Sequence, residues 1–281
     1  MNAVLQGAPS AAISVRAATK VYETARGRTV SLDRVSLDIA QGEFITLVGP
    51  SGCGKSTMLN LIGGLLMPSS GEVLVDGRPV KGPGPDRGVI FQQYALFPWL
   101  TAQQNVEFGL RLQGLARRER AERALHYLRL VGLQDFGHAL PKELSGGMKQ
   151  RCAIARAYAV NPSLLLMDEP FGALDALTRV QMQDELLATW QQERKTVVFI
   201  THDVDEAVYL ASRVVVMSPR PGRISEIIDV PLPYPRNDDL RLSTAFAQIR
   251  ARVWRGVHHV PHRPEAHPDP GAIHPSRGDP S

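Results

Sequence analysis

Cysteine is nearly absent: Cys53 and Cys152 are the only two in 281 residues. Neither sits in a CxxC or similar metal-ligand spacing, which argues against a zinc ribbon or a redox dithiol. So sparse a pair does not make a disulfide framework and points to a reducing compartment. Long apolar runs are also missing. The longest beside a helical pattern, LNLIGGLLM, is far short of the ~20 residues a membrane span needs. The chain is therefore not expected to cross a membrane itself, although it can dock on something that does. The stretch MNAVLQGAPSAAISVRAATK lacks a charged start followed by an apolar block, so no secretory signal is expected there. A strong charge of either sign is lacking too. The net charge of +4 is too small to argue for nucleic acid or anionic lipid as a partner. No internal repeat of motif size is present. What is present is the composition of a globular protein, 43% hydrophobic and 21% charged, long enough to bury a full core.

Apolar periodicity divides the chain. Residues 1–12 are small and non-periodic, and a flexible N-terminus is expected there. SVRAATKVY and VSLDIA read as short strands with ETARGRTV as a turn between them. EFITLVG is an apolar, β-branched run ending in glycine, the pattern of a buried strand. KSTMLNLIGGLL then sets Met58, Leu59, Ile62, Leu65 and Leu66 at helical spacing. GEVLVDG and GVIFQ read as strands. From about residue 95 to 159 the period lengthens to about 3.6, predicting a helical insert. SLLLMDEP, TVVFITHD and RVVVMS are again strands, with TRVQMQDELLATWQQERK as an amphipathic helix between the first two. Such alternation predicts an α/β fold with a largely parallel sheet covered on both faces. The segment 251–281 is rich in Pro, Gly and His and reads as a disordered tail. Its prolines break up any rigid metal site that its histidines could form.

Two stretches carry phosphate chemistry. GPSGCGKST, running Gly49, Pro50, Ser51, Gly52, Cys53, Gly54, Lys55, Ser56, Thr57, fits GxxxxGK[ST] and lies between a predicted strand and a predicted helix. Its glycines let backbone N–H groups wrap a phosphate chain, and the helix N-terminus adds positive potential. Lys55 is placed to reach the β- and γ-phosphates of a nucleotide, and the Ser56 hydroxyl to bind Mg²⁺. LLLMDE ends an apolar strand on two carboxylates. Asp168 is placed to hold Mg²⁺ through water, and Glu169 to orient or deprotonate an attacking water. A third stretch, LSGGMKQR, opens another predicted helix. Ser145 is a good N-cap, and Gly146 and Gly147 expose N–H groups, so this is a second anion-type loop.

GPSGCGKST, LSGGMKQR, LLLMDEPFGALD and FITHD, in this order, resemble the ATP-binding subunit of an ABC transporter over residues 13–250. The resemblance implies a P-loop NTPase core with a mixed, largely parallel sheet, an N-terminal antiparallel β part and the helical insert. It implies that two copies sandwich two ATP molecules head to tail, so that Ser145, Gly146 and Gly147 contact the ATP held by the partner. Gln92 matches the Q-loop glutamine, which senses Mg²⁺ and the attacking water. His202 matches the switch histidine at the γ-phosphate, Asp175 the D-loop along the seam, and Tyr22 the aromatic that stacks on adenine. Met148 departs from the pattern, since many relatives carry glutamine there. The glycine N–H groups survive that change, and a contact from the glutamine side chain does not.

The phrases GPGPDRGVIFQQYALFPWLT, DEPFGALDALTR and THDVDEAVYLASRVVVMSPRPGRI are similar to importers of the nitrate, sulfonate and taurine group, with GPGPDRG most similar to taurine and alkanesulfonate systems. The implied partners are a second copy of the chain, integral membrane permease subunits and, indirectly, a solute-binding protein, with no nucleic acid. The implied place is the cytoplasmic face of the cell membrane. In the family a coupling helix of the membrane subunit docks beside YALFPWL. Tyr94, Phe97 and Trp99 are thus candidates either for that docking surface or for the insert's own core. A soluble ABC protein acting on ribosomes or DNA would carry two motif sets or a long coiled-coil insert. A P-loop kinase would not need LSGG.

Overall fold

A computed structural model describes residues 11–24, 27–92, 94–172 and 174–258. It begins with a hairpin, β1 (Ala11–Thr24) and β2 (Gly27–Ala40), followed by β3 (Phe44–Val48) and α1 (Lys55–Gly63). Then come β4 (Ser70–Val75), β5 (Arg78–Pro79) and β6 (Arg87–Ile90). The insert holds α2 (Ala102–Leu112), α3 (Arg117–Leu130) and α4 (Gly146–Ala159), with short 3₁₀ turns at Gln134–Phe136 and Pro141–Glu143. β7 (Leu164–Asp168), α5 (Ala176–Glu193), β8 (Thr196–Ile200), α6 (Val204–Leu210) and β9 (Arg213–Met217) restore the alternation. β10 (Ile224–Asp229), α7 (Asp238–Arg241) and α8 (Thr244–His258) complete the described chain.

The strands form two sheets, an antiparallel one in the order β2-β1-β4-β5 and a six-stranded one in the order β10-β9-β3-β8-β7-β6. In the second, the pairs from β9 to β6 are parallel and only β10 runs antiparallel, on the edge. Successive side chains of a strand face opposite sides, and β3 shows what that does. Ile45 and Leu47 enter one core with Ile13, Val15, Leu37 and Ile39 of the hairpin and Met58, Leu59 and Ile62 of α1. Phe44 and Val48 enter the other, with Trp190 of α5, Val208 of α6, Val253 of α8 and the insert residues Val106, Leu128 and Cys152. The sheet is thus covered on both faces, and β3 carries the glycine loop out of its C-terminal end.

Several boundaries differ from the sequence reading. The two short N-terminal strands are 14 residues each, and most of the expected ETARGRTV turn is strand. Tyr22 pairs with Thr29 and Glu23 with Arg28. Register shifts along the pair break the strict alternation that marks a strand in sequence. The fold starts inside the expected flexible segment 1–12, since Ala11 pairs with Ala40 and Ile13 with Val75. The expected tail 251–281 starts too early: α8 runs to His258 and buries Val253. The remainder of that segment lies outside the described residues. α1 stops before Leu65 and Leu66 because Gly64 takes a left-handed cap, φ 73°, where a side chain would collide with the Gly82 carbonyl.

Candidate functional site

The glycine loop joins β3 to α1 by a path only glycine takes easily. Gly49, at φ 153°, has no room for a Cβ, which would lie 2.7 Å from the Met217 carbonyl oxygen. Gly54, the N-cap of α1, is left-handed at φ 100°, and a Cβ there would lie 2.6 Å from Leu32 Cδ2. Thr101, Ser145, Asp175 and Asp203 cap α2, α4, α5 and α6 through their side chains. α1 has no side-chain cap, so its first N–H groups face the cleft for an anion. Lys55 is only 8% exposed. Its Nζ donates to the carbonyls of Gly49 (2.8 Å) and Pro50 (3.1 Å), which hold the amine inside the curve of the loop.

β7 delivers the acids. Burial pushes the Asp168 carboxyl up from its ordinary value; a hydrogen bond from Ser56 and the charge of Lys55 pull it down, and Glu169 pushes it up. Glu169 departs from the strand into a left-handed conformation, φ 47°, which is uncommon outside glycine. Its N–H donates to the Ile200 carbonyl at 3.0 Å and its carbonyl accepts from Gly172 at 3.2 Å. This turn swings the carboxylate away from the strand. Glu169 Oε2 accepts from Gln92 Nε2 at 3.3 Å, and lies 3.3 Å from His202 Nδ1. Three side chains placed at the ends of β6, β7 and β8 therefore meet at one point.

These groups line one cleft of about 670 Å³ with Tyr22, Ser51, Gly52, Gly54, Lys55, Ser56 and Thr57. The Tyr22 hydroxyl is 3.4 Å from Thr57 Oγ1, so the ring stands at the mouth of the loop. Sequence reading missed three lining residues, Thr29, Ser31 and Arg220. Ser31 Oγ shares a 3.0 Å hydrogen bond with Thr57 Oγ1. Thr29 and Ser31 come from β2, whose length was not foreseen. Arg220 lies in the SPRPGR turn, whose fold over the loop has no local signature.

Ser145, Gly146 and Gly147 are not among the residues lining this cleft. Ser145 Oγ accepts from the Met148 N–H at 3.3 Å, capping α4. A Cβ on Gly146 would lie 3.0 Å from the Tyr94 hydroxyl, and one on Gly147 3.1 Å from Leu174 Cδ2. The aromatics expected near Gln92 divide. Tyr94 sits against Gly146, and the Phe97 ring lies 4.4 Å from that of Phe108, tilted by 43°, with the Arg156 guanidinium over its face. Trp99 stays 71% exposed and Leu112, on α2, 73%. Asp175 caps α5 through Thr178, whose N–H and hydroxyl hold its carboxyl below the usual value.

A divalent ion fits beside Ser56 and Asp168. The available donors are a hydroxyl, a carboxylate and the amide oxygen of Gln92, a hard oxygen set that suits Mg²⁺. Among the described residues no three His, Cys, Asp or Glu side chains gather as a metal cluster. The ion would therefore be shared with phosphate oxygens and water. Among the described residues no helix is long and apolar enough to cross a membrane.

The family described as ABC transporter matches residues 32–172. A Brucella abortus protein, whose name gives ATP binding provisionally, is 69% identical over 83% of this chain and 90% of its own length. The nitrate import ATP-binding protein of Synechocystis is 54% identical over 76% of this chain and 80% of its own length. The taurine import ATP-binding protein of Rhizobium johnstonii is 51% identical over 85% and 94%. Among solved structures, a dimeric post-hydrolysis state of the ATP-binding cassette MJ0796 with ADP and Pi matches with a TM-score of 0.72 and 36% identity, over 79% of this chain and all of that one.

Proposed function

This chain belongs to the ABC transporter family as the ATPase of an import system, and we propose that it powers uptake of taurine, aliphatic sulfonates or nitrate. The observation that carries the catalytic reading is the meeting of Gln92, Glu169 and His202 at the mouth of the Lys55 loop. Glu169 is the base that orients and takes a proton from the attacking water. Gln92 and His202 position its carboxylate, and His202 reaches the γ-phosphate. Lys55 and the N–H groups of Ser51 to Thr57 stabilise charge on the phosphates. Ser56 and Asp168 would hold Mg²⁺ with Gln92 nearby, and the ion would supply charge neutralisation on the phosphates. Tyr22 stacks on adenine.

Ser145, Gly146 and Gly147 serve the ATP of a second copy. Their absence from the cleft that holds Lys55 supports this reading, as does the dimeric state of MJ0796. Closure of two copies on ATP moves the helical inserts. The exposed Trp99 and Leu112 on the insert are the surface offered to permease subunits at the cytoplasmic face of the membrane. A solute-binding protein acts on the far side. The ATP-binding unit extends over about 11–258, the described strands and helices, with its helical insert at about 95–159.

Glu169→Gln tests the centre. The variant is expected to bind ATP with near-normal affinity, to hydrolyse it at least ~100-fold more slowly, and to accumulate as dimers in size-exclusion chromatography with ATP. Wild-type turnover in that variant would remove Glu169 from the role. Uptake assays in cells with labelled taurine, an alkanesulfonate and nitrate distinguish the solutes.

A further inference from the structure

The turn between β9 and β10, Ser218–Arg223, is clipped onto the nucleotide loop. Gly222 donates to the Ser31 carbonyl at 2.9 Å and accepts from the Asp33 N–H at 3.0 Å. A side chain at Gly222 would overlap the Cys53 carbonyl, so the turn lies directly on the glycine loop. Arg223 pairs with Asp33, and Ser218 and Arg223 close the turn on each other, Ser218 N–H to Arg223 carbonyl at 2.9 Å. The backbone just after Arg220 is thereby tied to β2 and packed on the loop, and Ser218 before it closes onto Arg223.

Arg220 itself is different from its neighbours. It is exposed, lines the cleft, and its Nη2 lies 3.6 Å from where a Cβ on Gly52 would be. Arg223 of the same turn is paired, as are Arg213 and Arg241, with Glu43 and Asp238. Among the described residues no carboxylate pairs with Arg220. An unpaired guanidinium held over the outer edge of a phosphate-type loop presents a planar fork of donors to whatever anion the loop holds. The chemistry that meets those donors is a phosphate oxygen.

We propose that Arg220 is a second cationic ligand for the phosphates of the ATP bound by its own chain, approaching the loop at Gly52. Lys55 reaches the phosphates from within the loop and Arg220 from outside it. The proposal rests on the cleft being the ATP site.

The test measures ATP affinity of the full chain by titration calorimetry, at protein dilutions where it is monomeric, for wild type, Arg220→Gln, Arg220→Lys and Lys55→Ala. Arg220→Gln is expected to raise Kd for ATP about tenfold, the loss of one charge-assisted hydrogen bond. Arg220→Lys is expected to recover part of that loss, because the charge stays and the fork goes. The gap between wild type and Arg220→Gln should shrink as salt is raised. Equal melting temperatures without nucleotide separate a binding effect from damage to the turn; if Arg220→Gln melts early, the Arg220→Lys comparison decides. Unchanged Kd in Arg220→Gln while Lys55→Ala loses binding overturns the assignment to Arg220 alone. Unchanged Kd with lost turnover places the guanidinium at the seam between copies and also overturns it. Unchanged Kd in Lys55→Ala would instead overturn the reading of the cleft.

Discussion

Cys152 and Cys53 show how burial sets the chemistry of single residues here. Both thiols are fully enclosed. Burial pushes Cys152 from 9.0 to about 12, against the small opposing effect of Arg156. Burial also raises Cys53, although Lys55 at 3.8 Å pulls it back. Thiolate is the reactive form. A thiol reagent at neutral pH is therefore expected to leave both residues of the folded protein unmodified over a time in which the denatured chain reacts fully, read by mass spectrometry. The same shift makes stability pH-dependent. Between pH 9 and about 12 the unfolded Cys152 releases its proton and the folded one keeps it. The unfolded state then binds fewer protons, so stability falls as pH rises through that window. Cys152→Ala is expected to flatten the decline of the denaturant midpoint above pH 9. An unchanged slope would mean the thiol ionises in place. Glu169 carries a different message at this scale: DE at a strand end is readable, but the left-handed turn that brings its carboxylate to His202 is not.

At the scale of elements, the glycine loop depends on a strand far from it in sequence. Leu32 of β2 is completely buried, with its methyl against Gly54. Leu32→Ala is expected to cost about 3 kcal/mol in urea unfolding, a typical value for a core Leu→Ala cavity, and to weaken ATP binding as the loop loses its backing. A loss of stability with unchanged ATP affinity would show that the loop keeps its own shape. The cap of α4 is a second case. Ser145 is at once the residue assigned to the partner's phosphate and the acceptor for the Met148 N–H. Ser145→Ala should thus lower stability by about 1 kcal/mol from the cap alone. Its effect on hydrolysis must be read after that correction.

For the whole molecule, the question is which ATP the α4 loop serves. A mixture of two inactive variants decides it. Ser145→Arg keeps a working Lys55 loop, and Lys55→Ala keeps a working α4 loop. If the loops act across a dimer, mixed dimers have one complete site, and the mixture is expected to regain a substantial part of wild-type hydrolysis. If each α4 loop served its own chain, mixing would restore nothing. Charge argues little at this scale, because +4 over the whole chain provides no strong steering field.

The amino-acid sequence by itself determined the order of the motifs, the buried strands β3, β7, β8 and β9, and the helical insert. Those features are local: glycines where N–H groups must face a phosphate, apolar runs where both faces of a sheet are covered, and a 3.6-residue period in the insert. The lengths of β1 and β2 were not legible, since register shifts blur their alternation. Nor was α8 as far as His258, where little more than Phe246 and Val253 reach the core. Only the tertiary structure decided that Gln92, Glu169 and His202 share one point and that Ser31 and Arg220 join the cleft. Each of these is a contact between segments distant in the chain. Such contacts depend on how strands stack in the sheet and where turns fold back, and no stretch of sequence carries that information alone.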